Sequence, residues 1–66
     1  MIIYCDATVE NPMQQANLIE CIELIGGSPE VKDDKISVDF EGSDGECDLM
    51  MSLFEHYTRH NITLIN

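Results

Sequence analysis

The pattern of apolar residues along these 66 residues predicts an α+β fold, a small antiparallel sheet with two helices on one face. Three observations carry that prediction. Residues 2–9 and 36–41 are strand-like in composition and alternate faces with a period of two. Two other stretches open on helix-capping residues and then place apolar side chains three and four positions apart. Turn residues punctuate the chain between them, at Gly26-Gly27 and at Asp33-Asp34. A chain of this length closes one hydrophobic core only, so residues 1–66 are expected to form a single acidic domain.

Each element has its own justification. In the first strand Ile3, Cys5, Ala7 and Val9 fall on one face, with Ile2, Tyr4, Asp6 and Thr8 on the other. The first helix begins after Asn11, a good N-cap, with Pro12 at the first helical position and Gln14 placed to close a capping box. Leu18, Cys21, Ile22 and Ile25 make its apolar stripe, Met13 and Leu24 lie off it, and Gly26-Gly27 stops it. Glu30-Val31-Lys32 is a short edge strand turning through Asp33-Asp34 into Ile36, Val38 and Phe40, which alternate with Ser37, Asp39 and Glu41. Ser43 and Glu46 form an S-x-x-E capping box for the second helix. Its core stripe is Met50, Leu53, Phe54 and Tyr57 with Cys47 beside it, and Arg59 faces water. Asn61 is read as its C-cap, and Ile62 to Ile65 as a last strand.

The order β-α-β-β-α-β is the split βαβ, or ferredoxin-like, plan. Without the short arm at residues 30–32 the fallback is a three-stranded β-α-β-α-β sheet. The uncovered face would carry Ile2, Tyr4, Asp6, Ser37, Asp39, Glu41, Thr63 and Ile65.

Charge bounds the function. Thirteen acids against three bases give a net charge of -10, and Lys32, Lys35 and Arg59 are too few for direct nucleic-acid binding. Anionic membrane surfaces are disfavoured for the same reason. With 44% hydrophobic residues in regular patterns, the chain is too apolar for a disordered acidic tail. Cys5, Cys21 and Cys47 are odd in number and form no CxxC pair, and the N-terminus lacks a signal peptide's basic region, so a cytoplasmic location is expected.

Five acids and no base lie between residues 39 and 48: Asp39, Glu41, Asp44, Glu46 and Asp48. Calcium is a poor fit to this run. With Gly42 at the sixth position of an EF-hand loop, Ser37 would be the first ligand and Asp48 would replace the bidentate glutamate. Helix-dipole stabilisation accounts for Asp44, Glu46 and Asp48 singly, and strand alternation for Asp39 and Glu41, but neither explains the absence of interspersed bases. His56 and His60, read four apart on the second helix, lack a third metal ligand and the HExxH pattern, so no metal is assigned. No phosphate-binding glycine loop and no catalytic group stands out, so no cofactor or enzymatic activity is expected. Tyr4 is the only outward aromatic, beside Asp6 rather than beside bases as an RNA-binding sheet would require.

The expected function is therefore stoichiometric binding to a basic, nucleic-acid-binding surface of a partner protein such as a nuclease. Asp39, Glu41, Asp44, Glu46 and Asp48, with Tyr4 and Asp6, are the candidate contact residues. In size and acidity the chain resembles the phage-encoded or mobile-element inhibitors that mimic DNA, among them anti-CRISPR and anti-restriction proteins. That resemblance implies an inhibitor acting by carboxylates set where phosphates would otherwise lie. The alternative is a homodimeric regulatory or ligand-sensing module of the same fold, pairing through its open sheet face or an edge strand, with Ile2, Tyr4, Thr63 and Ile65 as the apolar part of the interface. A third is a small metal-binding protein or enzyme using His56, His60 and the acids.

Overall fold

The computed structural model describes every residue from Met1 to Asn66. Four strands and two helices follow in the order β1 (Ile2–Thr8), α1 (Pro12–Ile25), β2 (Glu30–Lys32), β3 (Lys35–Glu41), α2 (Asp44–Glu55) and β4 (His60–Leu64). The strands form one sheet in the order β2-β3-β1-β4, every neighbouring pair antiparallel. This is the split βαβ, ferredoxin-like arrangement, with the short arm at residues 30–32 present as its outermost strand.

Alternation on the strands decides which face meets the helices. Ile3, Cys5 and Ala7 of β1, with Val9 just beyond it, and Ile36, Val38 and Phe40 of β3 are buried together with Leu18 and Ile22 of α1 and Cys47, Met50 and Phe54 of α2. Leu53, Tyr57 and Ile25, expected in the core, are only partly buried at its margin.

Local chemistry sets the ends of the elements. The Asn11 side chain accepts from the backbone N–H groups of Met13 and Gln14 at 2.9 and 3.2 Å, ahead of Pro12 at the start of α1. The expected Gln14 side-chain contact does not form. Gln15 instead donates its amide to the Val9 carbonyl, tying the helix start to the end of β1. Gly26 closes α1 with φ +104°, a left-handed conformation that costs a residue with a Cβ about 1–2 kcal/mol. The two-residue Asp33-Asp34 turn joins β2 to β3, with Asp33 at φ +57°. At α2 the reciprocal capping box is complete: Ser43 accepts from the Glu46 N–H, and the Glu46 carboxylate accepts from the Ser43 N–H at 3.0 Å.

The far end of α2 corrects the sequence reading. The helix stops at Glu55, so Arg59 is not helical, His56 and His60 do not share a helix face, and Asn61 is no C-cap. His60 and Asn61 pair with Ala7 and Asp6 as the first residues of β4. The ladder to β1 satisfies their backbone groups, so the chain turns at residues 56–59 to enter it. His60 Nδ1 lies 2.6 Å from the Tyr57 carbonyl, so that nitrogen carries the proton and donates to the turn.

Candidate functional site

The strand registers sort the charges by position. At one end of the sheet Lys32 pairs with Lys35 and Lys35 with Thr8, whose N–H bonds the Arg59 carbonyl. All three basic side chains of the protein therefore belong to this one row. At the opposite end Glu41 pairs with Ile2, Gly42 N–H donates to the Met1 carbonyl, and Ser43 starts α2. Asp39 and Glu41 are exposed there on the uncovered sheet face, while Asp44 and Glu46 are exposed in the first turn of α2 and Asp48 just beyond it. The five acids thus wrap around one end of the molecule, across two layers, with no Lys or Arg among them.

Not all of these carboxylates stand free. Glu46 is held below the usual carboxylate range, chiefly by the Ser43 backbone N–H and then by the Ser43 hydroxyl, because the capping box favours its ionised form. Asp39, Glu41, Asp44 and Asp48 have no hydrogen-bond partner within the protein from their side chains.

Asp6 requires a revision. It occupies the uncovered face, as the alternation demands, yet only 6% of its surface is accessible. Asn61 Nδ2 donates to its Oδ1 at 3.0 Å from β4, and Lys35 Nζ lies 3.7 Å from its Oδ2 from β3. The carboxylate joins three strands, so it acts as an internal cross-strand tie rather than as a free contact group. Tyr4, half-buried two residues along the same face, has its phenol pushed above the usual value, first by burial and next by the Asp6 carboxylate. Of the seven candidate contact residues, five lie at the acidic end, Tyr4 sits directly across from Asp39 on the same face, and Asp6 is taken up in the cross-strand tie.

Sequence reasoning missed two features. Asp6 and Asn61 are 55 positions apart, and reading Asn61 as a helix cap concealed the bond between them. An open cleft of about 710 Å³ lies where the end of β1 and the start of α1 meet the chain after α2, lined by Glu10, Asn11, Gln14, His56, Tyr57 and Arg59 among others. No sequence motif marks it, because its walls come from three separate loops and ends. No three or more His, Cys, Asp or Glu side chains converge as a metal site, and no helix is long and apolar enough to cross a membrane. No family model, curated protein or solved structure matches this chain.

Proposed function

We propose that this protein is a non-enzymatic binding protein whose acidic end occupies a basic, nucleic-acid-binding surface of a partner, in the manner of a DNA-mimicking inhibitor. One observation carries the reading: Lys32, Lys35 and Arg59 are gathered in one row of the sheet, so Asp39, Glu41, Asp44, Glu46 and Asp48 at the other end have no Lys or Arg beside them and only the Met1 ammonium, bonded to the Gly42 carbonyl at 3.1 Å, as a nearby cation. With a net charge of -10 the molecule attracts a cationic partner, and the cluster concentrates that attraction at this end. Three unpaired thiols, two of them buried, suit a reducing compartment and support a cytoplasmic setting.

Outward residues on a strand recur about every 6.8 Å, about twice the 3.4 Å axial spacing of charge along one DNA strand. Asp39 and Glu41 have that relation, and the start of α2 extends the row of charge. The homodimer reading has less support, because two copies would bring two net charges of -10 together. The test is charge reversal: Asp39→Lys, Glu41→Lys and Asp48→Lys together leave the capping box intact. They should slow association with a captured partner and flatten its salt dependence, with an affinity loss of about 2–5 kcal/mol where the pairs are desolvated. Unchanged association kinetics in the triple variant would remove the acidic end from the interface.

A further inference from the structure

In the order β2-β3-β1-β4 the outer strands β2 and β4 are the sheet's two edges. A free edge presents unpaired backbone groups to any strand that can approach, and proteins block it with shortness, charge or proline. The β2 edge is blocked: it has three residues, two of them Glu30 and Lys32, and turns through Asp33 and Asp34. The β4 edge is open. It has five residues, and from His56 to Asn66 the chain carries no Asp, Glu, Lys or Pro. This is the longest stretch of the protein without an acidic side chain.

Register fixes which backbone groups stand free. The Thr8 N–H donates to the Arg59 carbonyl at 3.0 Å and the Ile65 N–H to the Ile2 carbonyl at 2.9 Å. Bonding alternates along an antiparallel ladder, so Asn61 and Thr63 also turn their backbone groups toward β1. His60, Ile62 and Leu64 therefore turn their N–H and C=O groups outward. Their side chains share the helix-covered face with Ala7, Cys5 and Ile3, opposite which they lie. Ile62 packs half-buried at the core margin, and Leu64 is 63% exposed beyond it.

We infer that β4 is the contact edge of a homodimer, in which two copies pair antiparallel about Ile62 and form one continuous sheet. Ile62 then meets Ile62 of the second copy, His60 meets Leu64, and Asn61 meets Thr63, so no like charges stand opposite one another. Two net charges of -10 oppose any pairing, and this arrangement is the one that spreads them. The Arg59 end of β4 belongs to the row of Lys32 and Lys35, whereas its Ile65 end leads through Ile2 to Glu41. Antiparallel alignment sets the Arg59 end of each copy against the Ile65 end of the other. The two acidic ends then lie at opposite extremities of the dimer, each beside the other copy's row of bases. The dimer needs no regulatory ligand, leaves Asp39 and Glu41 uncovered, and stands or falls apart from the mimicry reading.

Sedimentation equilibrium of the whole chain at about 0.15 M salt, where charges are screened beyond about 8 Å, should show mass doubling with concentration below about 1 mM. Amide hydrogen exchange locates the contact. The Ile62 and Leu64 amides should become protected over the concentration range in which the mass doubles, whereas those of Asn61 and Thr63 are protected throughout. Leu64→Pro removes an outward N–H from each copy while sparing the ladder to β1, and should weaken the dimer at least about tenfold. Leu64→Lys, which keeps the N–H and charges the edge, should weaken it several-fold and serves if the proline variant folds poorly. A monomer at every concentration, a dimer whose Ile62 and Leu64 amides stay unprotected, or full dimer affinity in either folded variant would overturn the inference.

Discussion

Removing an acid from a protein with a net charge of -10 should relieve repulsion and stabilise it, and Asp6, like the helix-capping Glu46, is an exception. Asp6→Ala deletes the hydrogen bond from Asn61 at 3.0 Å, a bond to a charged acceptor worth about 1.5–3 kcal/mol. The Lys35 pair adds little, up to about 1 kcal/mol, because its nitrogen is 3.7 Å away on a side chain 54% exposed. Asn61 is itself exposed and regains water, so no orphaned donor raises the cost further. Relief of repulsion takes back part of the loss. The net expectation is about 1.5–3 kcal/mol, which for a domain of this size lowers the melting temperature by roughly 10–20 °C. Asp39→Ala, an exposed acid on the next strand, is the control and should change stability by less than about 0.5 kcal/mol. Thermal unfolding followed by circular dichroism, with both variants and wild type in the same buffer, reads the difference. If Asp6→Ala melts at or above wild type, the cross-strand tie contributes nothing and net charge alone governs these positions.

Three further outcomes follow from the same physics. Moderate salt should raise the melting temperature, because repulsion among exposed acids is screened over about 10 Å at 0.1 M; a flat or falling curve would mean that the charges are already compensated. Stability should fall as pH rises from about 9 to 11: burial first, then Asp6 and Cys47, push the Cys5 thiol up to about 11 in the fold, while the unfolded chain has already released that proton. A rise from the ordinary 9.0 to about 11 sets an upper limit of about 2.7 kcal/mol, and denaturant titrations across this range should show the slope in wild type and a reduced one in Cys5→Ala. Gly27→Ala should cost about 1–3 kcal/mol, because its Cβ would sit 2.8 Å from Ile22 Cγ2 and 3.0 Å from Met50 Cε, and an unchanged midpoint would show that these side chains move aside freely.

The parts of the fold that local chemistry decides were legible in the sequence. Asn11-Pro12 and the Ser43–Glu46 box mark helix starts because each supplies acceptors to otherwise unpaired N–H groups, and both appear where expected. The short arm at Glu30–Lys32 was legible for a similar reason, since Asp33 tolerates the left-handed turn that a two-residue hairpin needs. The end of α2 was not. No Gly or Pro interrupts His56 to Arg59, and what stops the helix is pairing of His60 and Asn61 with β1, more than 50 positions away. Of the candidate site, the five acids were visible as a run. Their isolation from Lys32, Lys35 and Arg59, and the engagement of Asp6, emerge only once the register is known. The cleft at the start of α1 likewise depends on how elements meet.

The mimicry reading makes one exclusive demand, that this protein and nucleic acid cannot share the partner's surface. A partner recovered from native lysate, loaded with fluorescently labelled DNA or RNA, is titrated with this protein while anisotropy is recorded. Wild type should return the anisotropy to that of free nucleic acid. The variant reversed at Asp39, Glu41 and Asp48 should need a far higher concentration to do so, with a gap that narrows as salt rises. A ternary complex, in which anisotropy rises while this protein binds, would contradict the account.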